Sequence, residues 1–162
     1  MDLAEARLRT VAEARSWIST PYHIGGRTKG AGCDCGSCLY CILVNSRAID
    51  PDAELEEFFS HVSAGAWAHW TDDQYLFRMR RHAVELMRRT AVAGADLLPG
   101  NLILCKAFGA NFYNHGGIVT DWPKIIHCIS PRVGETSALW HPAWATREIA
   151  VFDPFARRFS GC

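Results

Sequence analysis

A glycine-rich loop running into an apolar segment is the feature that most restricts how this chain can fold. Thr20-Pro21-Tyr22-His23-Ile24-Gly25-Gly26 leads on to Gly32-Cys33-Asp34-Cys35-Gly36-Ser37-Cys38-Leu39-Tyr40-Cys41. Pro21 and the glycines at 25, 26, 30 and 32 punctuate a loop, and the run from Leu39 to Val44 is long enough for helical turns. A helix that is apolar all round has to be buried, so the rest of the chain must enclose it. Cys35 falls near its N-terminus. There the unpaired backbone N–H groups favour a thiolate, which is the nucleophilic form of cysteine.

A nucleophilic cysteine needs a base. Two histidines lie far downstream in strand-like surroundings, His115 in Asn114-His115-Gly116-Gly117-Ile118-Val119 and His127 in Lys124-Ile125-Ile126-His127-Cys128-Ile129. Neighbouring antiparallel strands joined by a turn at Asp121-Trp122-Pro123 would bring the start of one beside the end of the next, so the two rings can touch. One imidazole could then take the Cys35 proton while the other fixes its tautomer and orientation. By residue type alone His23, His61, His69, His82 and His141 are equal candidates. Placement is what lifts His115 and His127.

Cys33, Cys35, Cys38 and Cys41 also form C-x-C-x-x-C-x-x-C, a spacing that zinc or an iron–sulfur cluster could use. The apolar run beyond Leu39 instead makes the later thiols members of a buried helix, where free cysteine behaves as a small hydrophobe. No second paired-cysteine set completes a zinc ribbon. The expectation is therefore no metal, with Cys33, Cys38, Cys41, Cys105 and Cys128 as packing residues. Seven cysteines, an odd number scattered through apolar segments, argue for reduced thiols over a disulfide framework.

Around this centre the pattern predicts helices first and strands later. Leu8, Val11, Ala12 and Ile18 give Leu3 to Ile18 a one-sided helical pattern, and Pro51 starts a second helical segment through Glu54 to Phe59. Trp67, His69 and Trp70 follow in a segment that periodicity does not place. Thr71-Asp72-Asp73 reads as an N-cap, and Leu76, Met79, Ala83 and Leu86 extend a helix to about Thr90. Its arginines 78, 80, 81, 88 and 89 could bind an anion, but a solvated face suited to the helix dipole is the simpler reading. After Leu98-Pro99-Gly100 come strands at Asn101–Lys106, His115–Thr120, Lys124–Ile129 and Arg147–Phe152, with a further candidate in Arg132–Trp140. Helices segregated ahead of an antiparallel sheet define an α+β class.

A chain of 162 residues, 49% hydrophobic and 21% charged, suits one domain over residues 1–162. Seventeen basic against seventeen acidic residues leave no net charge, so nothing points to nucleic acid or a membrane surface as partner. The first residues lack an apolar run of signal-peptide length, which leads to an expectation of synthesis in the cytoplasm without a secretion signal.

Taken in order, Thr20-Pro21-Tyr22 with Gly25-Gly26, Asp34-Cys35, Pro99-Gly100, His115-Gly116-Gly117-Ile118 and Ile126-His127 resemble the signature of the NlpC/p60 family of papain-like cysteine peptidases. The likeness runs from about Trp17 to Phe152. It is strongest to the phage and gene-transfer-agent branch of cell wall peptidases, in which Lys29-Gly30-Ala31-Gly32-Cys33-Asp34-Cys35 also precedes the helix. The resemblance implies a papain-like fold, with Cys35 as nucleophile, His115 as general base and His127 as the residue polarising it. Tyr22 would join the Cys35 backbone N–H at the oxyanion, unless it is only a loop aromatic packed on the core. It implies cleavage of peptidoglycan stem peptides through an acyl-enzyme, with no cofactor. The absence of a wall-binding repeat leads to the expectation that another protein, such as a component of a phage-tail-like particle, delivers the domain to the wall.

Three positions depart from the family pattern: Gly36-Ser37 reverse the usual order, Asn101 replaces an aspartate, and Gly116 replaces a β-branched residue. They suggest altered fine geometry at Cys35, a lost turn contact and a looser strand beside His115. Two other functions stay open: an acyltransferase or amidase using thioester chemistry, which the same residues serve equally well, and a particle assembly protein that keeps only the fold, against which the intact Cys-His-His set argues. Trp67, Trp70, Trp122 and Trp140 could line a pocket, but core is the simpler reading for each.

Overall fold

The computed structural model describes residues 2–62 and 73–159. Helix α1 (Leu3–Ser16) is followed by two short strands, β1 (Arg27–Thr28) and β2 (Gly32–Cys33), and by α2 (Cys35–Asn45), α3 (Ala53–Val62) and α4 (Gln74–His82). Six strands complete the chain: β3 (Val84–Arg89), β4 (Leu102–Cys105), β5 (His115–Asp121), β6 (Lys124–Ile129), β7 (Arg132–Ser137) and β8 (Ile149–Asp153). They form one antiparallel sheet in the order β3-β8-β4-β5-β6-β7. The α+β expectation holds.

Both faces of the central strands are covered, which is why those strands read as nearly continuous apolar runs. With a period of two, Leu102, Leu104, Ile118, Ile126, Ala150 and Phe152 face the helices and pack with Leu39, Leu43, Phe59 and Tyr75. Ile103, Cys105, Val119, Ile125, Ile149 and Val151 face the other way onto Val92, Leu97 and Trp144. The apolar helix α2 lies at the centre, packed against α1, α3, β5 and β6.

Helix α1 starts at Asp2, whose carboxylate accepts the Glu5 backbone N–H at 2.8 Å. Its buried face is Ala6, Thr10, Val11 and Ala14, whereas Leu8, which the expected stripe included, is 65% exposed. An ion pair fixes the packing of this helix, because the Arg7 guanidinium donates to Asp153 at the end of β8 and to the Pro99 carbonyl.

The long helix expected to reach Thr90 is not formed. Helix α4 stops at His82, Ala83 is extended, and residues 84–89 become β3. The free edge of β8 supplies ladder partners from Val84↔Asp153 to Arg89↔Ile149, and pairing with that edge overrides the local helical spacing. The arginines of this stretch are engaged within the chain. Arg80 and Arg88 bridge Glu85, Arg81 pairs with Glu54 and Asp52, Arg89 donates to the carbonyls of Ala93 and Gly94, and Arg78 lies over the Phe58 ring. Thr71 and Asp72 of the expected cap, with Trp67, His69 and Trp70, lie outside the described residues.

Candidate active site

Cys35 is the first residue of α2, as the loop-to-helix pattern requires. Asp34 precedes it as N-cap. One carboxylate oxygen accepts the Ser37 N–H at 2.8 Å, the Ser37 hydroxyl accepts the Asp34 N–H at 3.2 Å, and the second carboxylate oxygen accepts the Gly25 N–H at 2.9 Å. The Ser37 hydroxyl donates to the Gly26 carbonyl at 2.5 Å. One capping box thus pins the glycine loop to the helix start. The reversed Gly36-Ser37 order has a local reason: a serine at the third helical position closes the box, and a Cβ on residue 36 would lie 2.6 Å from the Phe59 ring.

The loop is also stitched to the sheet. Tyr22 N–H donates to the Pro131 carbonyl at 2.8 Å, His23 N–H to Cys33 at 2.8 Å, and Cys33 N–H to Pro21 at 3.0 Å. Tyr22 is thereby held beside the start of α2, and its hydroxyl is pushed up to about 12 by burial and then by the charges of Cys35 and Asp34. It is a firm donor at neutral pH.

Cys35 is partly exposed. Contrary to the thiolate expected of a helix N-terminus, its thiol is pushed up to about 12, first by burial and then by the Asp34 charge, against the weaker pull of the Gly36 and Cys35 backbone N–H groups. The resting site holds a neutral thiol. Behind it, Cys33 and Cys128 bring their sulfurs to 3.6 Å, and hydrogen bonds from Cys128 and Cys38 lower the Cys33 thiol. These packed thiols join the residue before Asp34 to the residue after His127.

His115 opens β5 and is buried. Its Nε2 stands 2.9 Å from Nδ1 of His127, also buried on β6. The indole N–H of Trp144 donates to the same His127 Nδ1 at 3.2 Å. Burial, then the charge of His141, holds His115 down at about 4, and burial, His115 and His141 hold His127 at about 2. Cys105, the cross-strand partner of His115, lies close enough to Cys35 to feel its charge. Helix α2, which carries Cys35 as its first residue, packs against β5 and β6, the strands that carry the two histidines.

Several neighbours were not singled out in the sequence. Trp144 and His141 sit in a turn-rich segment without periodicity, and the ring of His141 lies 4.9 Å from that of His127. Phe108, in a left-handed conformation with φ of 56°, sets its ring 5.9 Å from that of His115. The Tyr75 hydroxyl is buried, has no hydrogen-bond partner among the described residues, and feels the Cys35 charge. Of the tryptophans read as core, Trp122 donates to the Ala95 carbonyl and packs on the second core as expected, whereas Trp140 is 83% exposed and is not core.

The other two departures also resolve. Asn101 keeps a turn contact, since its amide oxygen accepts the Leu98 N–H at 2.9 Å. The strand at Gly116 is not loosened: a Cβ there would lie 2.7 Å from Leu39, 3.0 Å from Leu104 and 3.1 Å from the Tyr75 hydroxyl. Among the described residues no group of three His, Cys, Asp or Glu side chains could hold a metal ion.

No family model matches the chain, and no curated protein matches it. Solved structures do. The NlpC/p60 domain of the peptidoglycan hydrolase SagA aligns over 90% of this chain and 97% of its own, with 20% identity and a TM-score of 0.56. NlpC1 from Trichomonas vaginalis aligns over 91% of this chain and 45% of its own, with 14% identity and a TM-score of 0.58. A protein similar to a lipoprotein of the NLP/P60 family from Staphylococcus aureus subsp. aureus Mu50 aligns over 94% and 42%, with 17% identity and a TM-score of 0.57. The chain thus spans nearly all of the SagA domain and less than half of the other two solved chains. The fold it shares with them is the papain-like NlpC/p60 fold.

Proposed function

We propose that this chain is a cysteine peptidase of the NlpC/p60 kind that hydrolyses amide bonds in the stem peptides of bacterial cell walls. The hydrogen-bonded pair of buried histidines on the strands against which the Cys35 helix packs carries this reading, and the fold shared with the SagA domain supports it.

In this mechanism the Cys35 thiol gives its proton to His115 as substrate arrives, since both groups are neutral at rest. The thiolate attacks the scissile carbonyl carbon, and the oxyanion is met by the Cys35 backbone N–H and the Tyr22 hydroxyl. His115 returns its proton to the leaving amine, which departs as the thioester acyl-enzyme forms. Water then gives a proton to His115 as it attacks the thioester carbon, the C–S bond breaks to release the carboxylic acid, and His115 returns that proton to the Cys35 sulfur. His127 keeps the His115 ring oriented throughout. The likeness to phage-type wall peptidases extends the proposal to delivery by a tail-like particle. Recovery of the protein with purified particles supports that extension, and recovery from cytosol alone opposes it.

The test is a mass-spectrometric digest of purified peptidoglycan fragments by the wild type and Cys35→Ala. Cleavage present in the first and absent in the second is expected, and the product masses name the bond. A folded, reduced wild type that cuts no wall peptide would overturn the reading.

A further inference from the structure

The contact between His115 Nε2 and His127 Nδ1 can be drawn with the proton on either nitrogen. Trp144 removes the ambiguity. Its indole Nε1 lies 3.2 Å from the same His127 Nδ1, and an indole N–H can only donate. Nδ1 of His127 must therefore present its lone pair, which places the His127 proton on Nε2. His115 Nε2 faces that lone pair at 2.9 Å, and two lone pairs at such a distance repel, so His115 Nε2 carries a proton as well. The lone pair of neutral His115 is then on Nδ1. Trp144 is fully buried and both histidines nearly so, which leaves little room for water to compete for these bonds. The tryptophan is itself fixed, because its backbone N–H donates to the His141 carbonyl at 2.9 Å and its ring packs 5.3 Å from His115 and 5.8 Å from His127.

We infer that Trp144 is a positioning residue of this site: its indole N–H holds His127 in the Nε2–H form, and His127 in turn holds His115 with Nδ1 free to act as the base. The inference rests on the reading of Cys35 and His115 as nucleophile and base. In the activation step the S–H bond of Cys35 breaks and an N–H bond forms at His115 Nδ1, giving thiolate and imidazolium. The imidazolium keeps its Nε2–H bond to His127, so the step needs no rearrangement of the relay.

The experiment is NMR of protein labelled with 15N in its histidines, correlating ring nitrogens with ring protons at neutral pH, where both imidazoles are uncharged. The wild type should show a protonated Nε2 and an unprotonated Nδ1 in His115 and in His127. In Trp144→Phe the Nδ1–H form of His127 should become populated, and the His115 nitrogens should shift with it. On a wall peptide kcat should fall about tenfold or more with KM unchanged, part of the ~10²–10⁴-fold that a positioned base contributes. A protonated Nδ1 on wild-type His127 overturns the inference, as does a Trp144→Phe protein with wild-type tautomers or wild-type kcat. Should that variant fail to fold, the wild-type spectrum decides alone. The expected spectrum in a protein that cleaves no wall peptide upholds the tautomer lock and counts instead against the peptidase reading.

Discussion

His115 and His127 meet nitrogen to nitrogen at 2.9 Å although they are not partners in the ladder: His127 is registered against Gly117, two residues beyond His115. The contact is diagonal, within the reach that ring side chains have across adjacent antiparallel strands. Because His115 donates and residue 127 accepts, an asparagine at 127 can keep the bond through its amide oxygen whereas alanine cannot. His127→Ala should lower kcat about a hundredfold and His127→Asn clearly less, within the ~10²–10⁴-fold range of general base catalysis. Steady-state kinetics on a stem-peptide substrate compares the two.

The histidines also set a pH dependence. Burial holds His115 at about 4 against an ordinary 6.5, so the folded protein binds its proton later than the unfolded chain does. Stability from keeping this ring neutral is complete above about 6.5 and is lost as pH falls through the window towards 4. Chemical denaturation at a series of pH values should show a falling midpoint over that range. The acid limb of kcat/KM should lie near pH 4, where His115 becomes protonated.

Asp34 raises the Cys35 thiol through its charge. Asp34→Asn should let the thiolate form at lower pH, so alkylation of Cys35 by iodoacetamide, followed by peptide mapping, should show a downward-shifted midpoint. The amide can accept only one of the two N–H groups the carboxylate now satisfies, at a stability cost of about 1 kcal/mol.

Side chains added at Gly36 or Gly116 meet occupied space, the Phe59 ring in one case and Leu39, Leu104 and the Tyr75 hydroxyl in the other. Gly116→Val should destabilise the fold by about 1–3 kcal/mol, the usual range for overpacking a core, and Gly36→Ala by a similar amount. Thermal unfolding measures both.

Breaking the capping box gives a smaller effect. Ser37→Ala removes the hydroxyl that answers the Asp34 N–H and anchors Gly26, and should cost about 0.5–2 kcal/mol. Equilibrium denaturation gives the value.

Much of this architecture is written locally in the chain. The buried cysteine helix, the apolar strands from Leu102 onward and the turn between β5 and β6 depend on neighbours a few residues apart, so their residue types reveal them. The order of His115 and His127 on adjoining strands is legible for the same reason. Tertiary structure decided the rest. Residues 84–89 carry helical spacing but become a strand because β8 offers an unpaired edge, and backbone hydrogen bonds to a strand sixty or more residues away leave no local trace. The Cys35 thiol is set by burial and by Asp34 more than by the helix terminus, a balance that depends on how closely the chain encloses it. Trp144, in a turn without periodicity, reaches the histidines only through the folded chain, and its indole N–H determines which nitrogen of each ring holds the proton. Local patterns select the elements, whereas protonation and tautomer depend on groups that folding brings together from distant parts of the chain.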